Sequence, residues 1–445
     1  MQQFIIEGGH RLSGAIKAGG NKNAALKMLP ACLLTEEPVV LNNVPDIGDV
    51  RVTLDILRQL GAAVDASAAE TVRVEAKQIA STTIDPALGQ KTRASIVLAG
   101  PLLGRCGQIT LPLPGGDSIG ERRLDAHVLA LQKLGARIEQ AGGALYMRAD
   151  KLKGADILLY EASVTATENA LMAAVLASGT TIIRNAACEP HIQNLCHMLN
   201  GMGALIEGIG TNRLVITGVE RLHGGEFRVG ADYIEVGSFI GAAVLTGGEL
   251  WIREADPEHM DIVEHTLGRL GVTWKTHGQD IYVPESQPLT VVPDLGNRIP
   301  IIKAQPWPAF PADLMSIALV IATQSAGAVL FHDWMYESRF FFTDKLVRMG
   351  ARITLCDPHR VLVQGPTALT GLANMTSPDI RAGMAMLLAA LAAKGETHIF
   401  NIQQIDRGYA RVDEKLRSLG AFIQRTAVDQ SSSVEEPLDT KAAQH

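Results

Sequence analysis

Three basic residues stand at predicted helix starts: Lys22 beside Asn23 in NKNAAL, Arg93 in TRAS and Arg381 in PDIRAG. A helix N-terminus carries unpaired N–H groups and the positive end of the macrodipole, so it favours anions and disfavours Lys or Arg. An external anion held among these residues explains all three. Further arginines fall in loops of equivalent location: Arg122 with Arg123 in PGGDSIGERRLDAH, Arg339 in MYESRFFF and Arg407 in QIDRGYAR. A guanidinium pairs bidentately with phosphate and carboxylate, so these side chains converging in a cleft would hold a small ligand with several negative charges. Asp313 and Asp379 occupy other helix starts. Acids there are ordinary caps in most proteins, and for Asp313 taken alone the cap reading wins. Asp117 lies in PGGDSIG, where prolines and paired glycines predict a loop able to lie over a cleft.

Other chemistries are excluded by what is missing. The chain has no GxxxxGK[ST], no GxGxxG after a strand, no HxH and no HExxH, so neither an ATPase, a dinucleotide enzyme nor a metal site is indicated. Its five cysteines show no CxxC and no regular spacing, and read as reduced, mostly buried thiols. No cofactor is expected. A formal charge of −7 argues against nucleic-acid and anionic-membrane partners. The N-terminus lacks a signal-peptide core and the longest apolar run, 382–393, is too short to span a bilayer, so a cytoplasmic location is expected. The polar stretch 428–445 reads as a disordered tail. Nothing implies an oligomer.

The elements that must position these residues recur. The pattern apolar-x-x-apolar-Gly-small-x-apolar appears as LRQLGAAV, LQKLGARI, LNGMGALI, LGRLGVTW, LVRMGARI and LRSLGAFI. Its glycines (Gly61, Gly135, Gly203, Gly271, Gly350 and Gly420) are spaced by 74, 68, 68, 79 and 70 residues. Each predicts a helix that ends at a left-handed glycine and passes into a strand. Ahead of each stands a small-residue helix that is apolar nearly all round and therefore buried. Their predicted starts are Lys22-Asn23, Arg93, Glu168-Asn169, Glu235, Asp313 and Asp379 with Arg381. The expected fold is α/β: six units of about 70 residues, three per domain. Residues 21–229 would form one domain. Residues 1–20 would join 230–427 in the other, because the first twenty have no repeat partner ahead of them.

The motifs NKNAAL from Asn21, TRAS from Thr92, PGGDSIG from Pro114, PAFPADL from Pro308, ESRF from Glu337, PDIRAG from Pro378 and IDRGY from Ile405 resemble those of the enolpyruvyl transferases. The resemblance runs from Phe4 to Arg425 and implies a two-domain inside-out α/β barrel. It is closest to the branch whose acceptor is UDP-N-acetylglucosamine rather than shikimate 3-phosphate. It implies transfer of the enolpyruvyl group of phosphoenolpyruvate to the sugar 3-hydroxyl, with release of phosphate, as the first committed step of peptidoglycan synthesis. Two alternatives stay open: a different nucleotide acceptor, or a non-catalytic paralogue that binds sugar nucleotides.

Carried over by position, the resemblance implies Lys22 and Asn23 on phosphoenolpyruvate, Arg122 and Arg407 on its phosphate, and Arg339 and Arg381 on its carboxylate. Asp379 would lie beside the reacting centre. Asp313 would accept the hydroxyl proton, and Asp117 would serve as the general acid with Lys22 and Arg407 assisting. Arg93, Arg122, Arg123, Leu124, Asp125, Ala126 and Met335 would border the sugar nucleotide, with Ser163, Val164 and Thr165 on its uridine side. The sequence departs from the family pattern at Asp117 (usually Cys), at Thr165 (usually Gly), at Glu161 (Lys in some members) and at Arg123 (usually Pro).

Overall fold

The computed structural model describes residues 2–113 and 123–427. Asp117, Arg122 and the expected tail 428–445 lie outside the described residues. Among the described residues the strands form six separate sheets, none closed into a barrel.

The sheets follow one plan. In the fifth repeat, Gly327–His332 pairs antiparallel with Arg360–Gly365, which pairs with Arg352–Asp357, while Ile301–Lys303 lies parallel on the outer edge. The second repeat has three strands, and its outer edge is reduced to a single parallel bridge between Thr83 and Thr110. Each repeat's surface helix ends as the pattern predicts: the six glycines from Gly61 to Gly420 have φ between +83° and +104°. A side chain with Cβ is strained in that region, and glycine is not.

Inside the sheets lie the apolar helices. Lys22–Ala31, Ala99–Cys106 and Val164–Ala174 are the first three central helices, the second entered through a 3₁₀ turn at Arg93–Leu98. Tyr233–Thr246, Met315–Ala322 and Ile380–Ala392 are the fourth to sixth. In the fourth, every residue from Tyr233 to Leu245 is buried. Small residues permit this: a Cβ added at Gly241 would come within 3.1 Å of Ile317 in the fifth helix and 3.2 Å of Leu388 in the sixth. One helix start differs from expectation. Glu168 does not start its helix; Val164 does, and Glu168 sits in the second turn, fully buried with its carboxylate 3.6 Å from the Lys27 ammonium. The apolar run misleads because this helix extends a further turn toward the surface on threonines.

The buried apolar residues fall into two clusters. One runs from Ala24 to Val229; the other takes Phe4 to Ala18 together with Ala231 to Ile423. The N-terminal strands account for the split membership. Gln2–Glu7 inserts between Glu396–Phe400 and Phe422–Ala427, and Ser13–Lys17 lies parallel to Glu249–Arg253. In exchange, Gly225–Arg228 lies parallel to Val39–Asn42 of the first repeat. The chain thus crosses between the clusters twice, and the crossings lie side by side. Asn21 N–H donates to Gly230 O at 2.8 Å, and Asp232 N–H to Gly19 O at 2.8 Å. Gly20 is pressed so close that a Cβ there would lie 1.7 Å from Asn43 O.

Candidate active site

The crossing brings the first central helix against residues from the far end of the chain. Asn21 caps that helix by accepting from Ala24 N–H at 3.0 Å, which sets Lys22 as its first residue. The Lys22 ammonium lies 2.9 Å from Asp49 Oδ2, both side chains 9% exposed. Asp49 comes from the first turn of the surface helix Gly48–Gln59, a position the helix dipole favours for an acid. Arg407 Nε reaches the other oxygen of Asp49 at 3.2 Å. One carboxylate therefore joins two cations from opposite ends of the sequence. Burial lowers the Lys22 pKa more than Asp49 raises it, and the nearby charge of Arg381 adds to the depression.

A second carboxylate organises the neighbouring cations. Asp313 lies in the turn Ala312–Leu314 that leads into the fifth central helix. Its Oδ2 is 3.0 Å from Arg381 Nη2 and its Oδ1 is 3.4 Å from Arg339 Nη2. Burial would raise the Asp313 pKa, but the guanidiniums of Arg381 and Arg339 outweigh it and hold the carboxyl at about 2. Behind Arg339 stands Asp333, fully buried, 3.4 Å from Nε and accepting the N–H groups of Met335 (2.9 Å) and Tyr336 (3.2 Å). Arg381 follows Asp379, which caps the sixth central helix by accepting from the N–H groups of Arg381 (2.7 Å) and Ala382 (2.9 Å). Asp379 is thus a true N-cap with its accepting oxygen turned onto its own helix. The Arg381 guanidinium also reaches Tyr409 Oη at 3.5 Å, itself 3.0 Å from Ser238 Oγ.

The anion expected at Lys22 and Arg381 is therefore supplied by the protein itself, through Asp49 and Asp313. Internal carboxylates offset the unfavourable helix-start charge, and they sit where a more highly charged ligand would compete for the same cations. Lys22, Arg339, Arg381 and Arg407 come together as expected, with Asp313 among them. Asn23, half-buried, follows Lys22. Met335 packs partly buried against the second core cluster.

The remaining described residues belong to the second and third repeats. Arg93 opens the 3₁₀ turn capped by Thr92. Exposed Arg123 and half-buried Leu124 lead into the helix Asp125–Lys133, where Ala126 is buried. Ser163 is the N-cap residue of the third central helix, followed by Val164 and Thr165. Thr165 Oγ1 lies 2.9 Å from His127 Nε2. Glu161 is exposed and its carbonyl accepts Ser163 N–H at 2.8 Å.

Three polar residues of the site escape a reading of the sequence: Asp49, Asp333 and Tyr409. For Asp333 the only signal is positional. Asn43, Asn185 and Asn401 follow the equivalent strand in their repeats with φ of 58–59°, each amide bonded to a neighbouring backbone carbonyl. Asp333 holds the same position in the fifth repeat, as Leu113 and Glu254 do in the second and fourth, and there it turns its carboxylate to Arg339 instead. Asp49 carries no such mark, because an acid in a first helical turn is ordinary.

The chain matches the family model for EPSP synthase (3-phosphoshikimate 1-carboxyvinyltransferase) over residues 6–416. It belongs to that family. Among its relatives, the UDP-N-acetylglucosamine 1-carboxyvinyltransferase of Bradyrhizobium diazoefficiens is 54% identical over 423 residues, covering 95% of this chain and 98% of the relative. The protein of the same name from Borreliella burgdorferi is 52% identical, covering 96% and 99%. Among solved structures, the enolpyruvyl transferase NikO from Streptomyces tendae superimposes with a TM-score of 0.85 at 26% identity, covering 96% of this chain and 99% of NikO. EPSP synthase from Acinetobacter baumannii shares the fold, with a TM-score of 0.74 at 19% identity and coverage of 96% and 100%. The two-domain architecture of the enolpyruvyl transferases, with separate sheets around buried helices, is thereby the fold of this protein.

Proposed function

We propose that this enzyme transfers the enolpyruvyl group of phosphoenolpyruvate to the 3-hydroxyl of UDP-N-acetylglucosamine and releases phosphate. One observation carries the site assignment: Asp313 lies between Arg339 and Arg381, beside the Lys22–Asp49–Arg407 group. The relatives that bear this activity in their names match over nearly the whole chain.

In this reading the phosphate of phosphoenolpyruvate draws Lys22, Arg407 and Arg122, and its carboxylate draws Arg339 and Arg381. Each contact takes positive charge away from Asp49 or Asp313. A carboxyl held at about 2 is a poor base. Sharing Arg339 and Arg381 with the substrate carboxylate raises its pKa toward the range where it takes the proton of the sugar hydroxyl. The hydroxyl oxygen then bonds to C2 of the enol while Asp117 protonates C3. Phosphate leaves from the resulting tetrahedral adduct as C3 returns a proton to the Asp117 carboxylate, restoring the double bond and the acid. Charge on the departing phosphate is stabilised by cations already in place. The two core clusters serve as hinged domains, 21–229 and 1–20 with 230–427, that close over the ligands.

The test is phosphate release from phosphoenolpyruvate with UDP-N-acetylglucosamine, UMP and shikimate 3-phosphate offered separately. Release only with either of the latter two overturns the assignment. Asp at position 117 carries a second expectation. A carboxylate is a far poorer nucleophile than a thiolate, so the epoxide fosfomycin does not inactivate the enzyme covalently, whereas Asp117→Cys gains time-dependent inactivation. Rapid inactivation of the wild type would contradict it.

A further inference from the structure

A chain of neutral hydrogen bonds ties together the segments on the acceptor side. Asn169, fully buried in the third central helix, is fixed at both ends of its amide. Its Oδ1 accepts from Gly100 N–H at 2.8 Å; its Nδ2 donates to Ile96 O at 2.8 Å and lies 2.8 Å from His127 Nδ1. A backbone N–H can only donate and a carbonyl can only accept, so the amide has one orientation. Both hydrogens of its NH₂ group are then used, and His127 Nδ1 must be the acceptor of the second.

The tautomer follows. His127 is 2% exposed, and burial together with the charge of Arg93 keeps its ring neutral, with a pKa of about 3. A neutral imidazole that accepts at Nδ1 carries its proton on Nε2, which is the atom 2.9 Å from Thr165 Oγ1. Thr165 therefore accepts from His127. Its own hydroxyl hydrogen has no acceptor among the described residues, and the residue is partly exposed at the start of the third central helix. A glycine at 165 would leave the His127 proton without this partner.

We propose that the Thr165 hydroxyl donates a hydrogen bond to an oxygen of the sugar-nucleotide acceptor, and that His127 and Asn169 are positioning residues that turn its O–H away from the imidazole and toward the ligand. The inference rests on the transferase reading above. With His127 bonded to one of the two lone pairs, the hydroxyl hydrogen is turned away from the ring and is available to a ligand oxygen; without His127 that orientation is lost. The ligand class this favours is one with anionic or carbonyl oxygens, as a nucleoside diphosphate sugar has.

The experiment compares wild type with Thr165→Val, Thr165→Ser and His127→Phe, using steady-state kinetics and calorimetric binding of UDP-N-acetylglucosamine. Thr165→Val, which keeps the shape and removes the hydroxyl, is expected to raise both KM and Kd for the nucleotide about tenfold. KM for phosphoenolpyruvate stays put, and Thr165→Ser restores nucleotide affinity. His127→Phe raises the nucleotide KM by about threefold, less than Thr165→Val, because the hydroxyl remains but is no longer aimed. In ¹⁵N spectra of the nucleotide complex, His127 carries its proton on Nε2. A Thr165→Val enzyme with wild-type nucleotide affinity, or a proton on Nδ1, overturns the proposal. If the wild type binds the nucleotide but releases no phosphate with it, the transferase reading fails while the binding arm still decides this one. If the wild type does not bind the nucleotide, both fall.

Discussion

The two halves of the site are built from opposite materials. Around Asp49 and Asp313, four cations share two carboxylates, and the contacts that join them are ion pairs. Around His127, the contacts join Thr165, Asn169 and backbone groups of Ile96 and Gly100, and every contact is neutral. Charges held by other charges can be exchanged for those of a ligand, so the first half is poised to rearrange. A closed chain of neutral donors and acceptors has one arrangement, so the second half is poised to stay. In the proposed reaction phosphoenolpyruvate is activated and loses its phosphate, whereas the nucleotide reacts only at its 3-hydroxyl and is otherwise held in place.

The sharpest way to break the comparison is at the charged half. Asp313→Ala is expected to lower kcat by about a thousandfold or more, as loss of a general base does, while calorimetry shows nucleotide binding retained. Equal losses in both would mean that Asp313 holds the site together and does not act on the proton. Asp49→Asn removes the charge shared by Lys22 and Arg407 and leaves a buried ammonium and a partly buried guanidinium without it. Urea unfolding should show a loss of about 3 kcal/mol, partly recovered by added phosphoenolpyruvate, which replaces the missing anion. Recovery by the nucleotide alone would place the charge elsewhere.

At the neutral half the expected effect is smaller and reads through acid. His127 binds a proton near pH 6.5 in the unfolded chain but only near 3 in the folded one. Between those values the unfolded state holds more protons, so stability falls as pH drops through that window. The contribution is at most about 1.4 kcal/mol per pH unit, and His127→Gln should flatten the urea-derived stability profile below pH 6.5 by up to that slope. An unchanged slope would mean that the ring is charged in the native state. Asp313 acts lower down: it contributes stability above the ordinary carboxyl range near 4 that is lost as pH falls through about 2.

Much of this architecture is legible in the amino-acid sequence alone. The six glycines announce six helix ends because a left-handed residue after a helix has few alternatives to glycine. The cations at helix starts stand out because they contradict the dipole, although at Lys22 and Arg381 the structure answers them with Asp49 and Asp313. Less legible is anything that looks ordinary in its own segment. Asp49 reads as a first-turn acid and Tyr409 as a core aromatic, and only their neighbours from distant repeats give them a role. Glu168 reads as a helix start because it breaks an apolar run, when its partner Lys27 in another helix allows it to be buried mid-helix.

By itself, then, the sequence determined the repeated unit, its helix ends and the charged residues that set the copies apart, since these depend on local backbone preference and on periodicity. Which carboxylate meets which cation was decided by the tertiary structure alone. Asp49 and Arg407 are 358 positions apart and touch only because strand Gln2–Glu7 closes the last sheet and two adjacent linkers fold the clusters onto one another. The same holds for the tautomer of His127, which is set by an amide from one helix and two backbone groups from another. Charge pairing and hydrogen-bond direction are properties of distance and angle, and distance along the chain does not contain them.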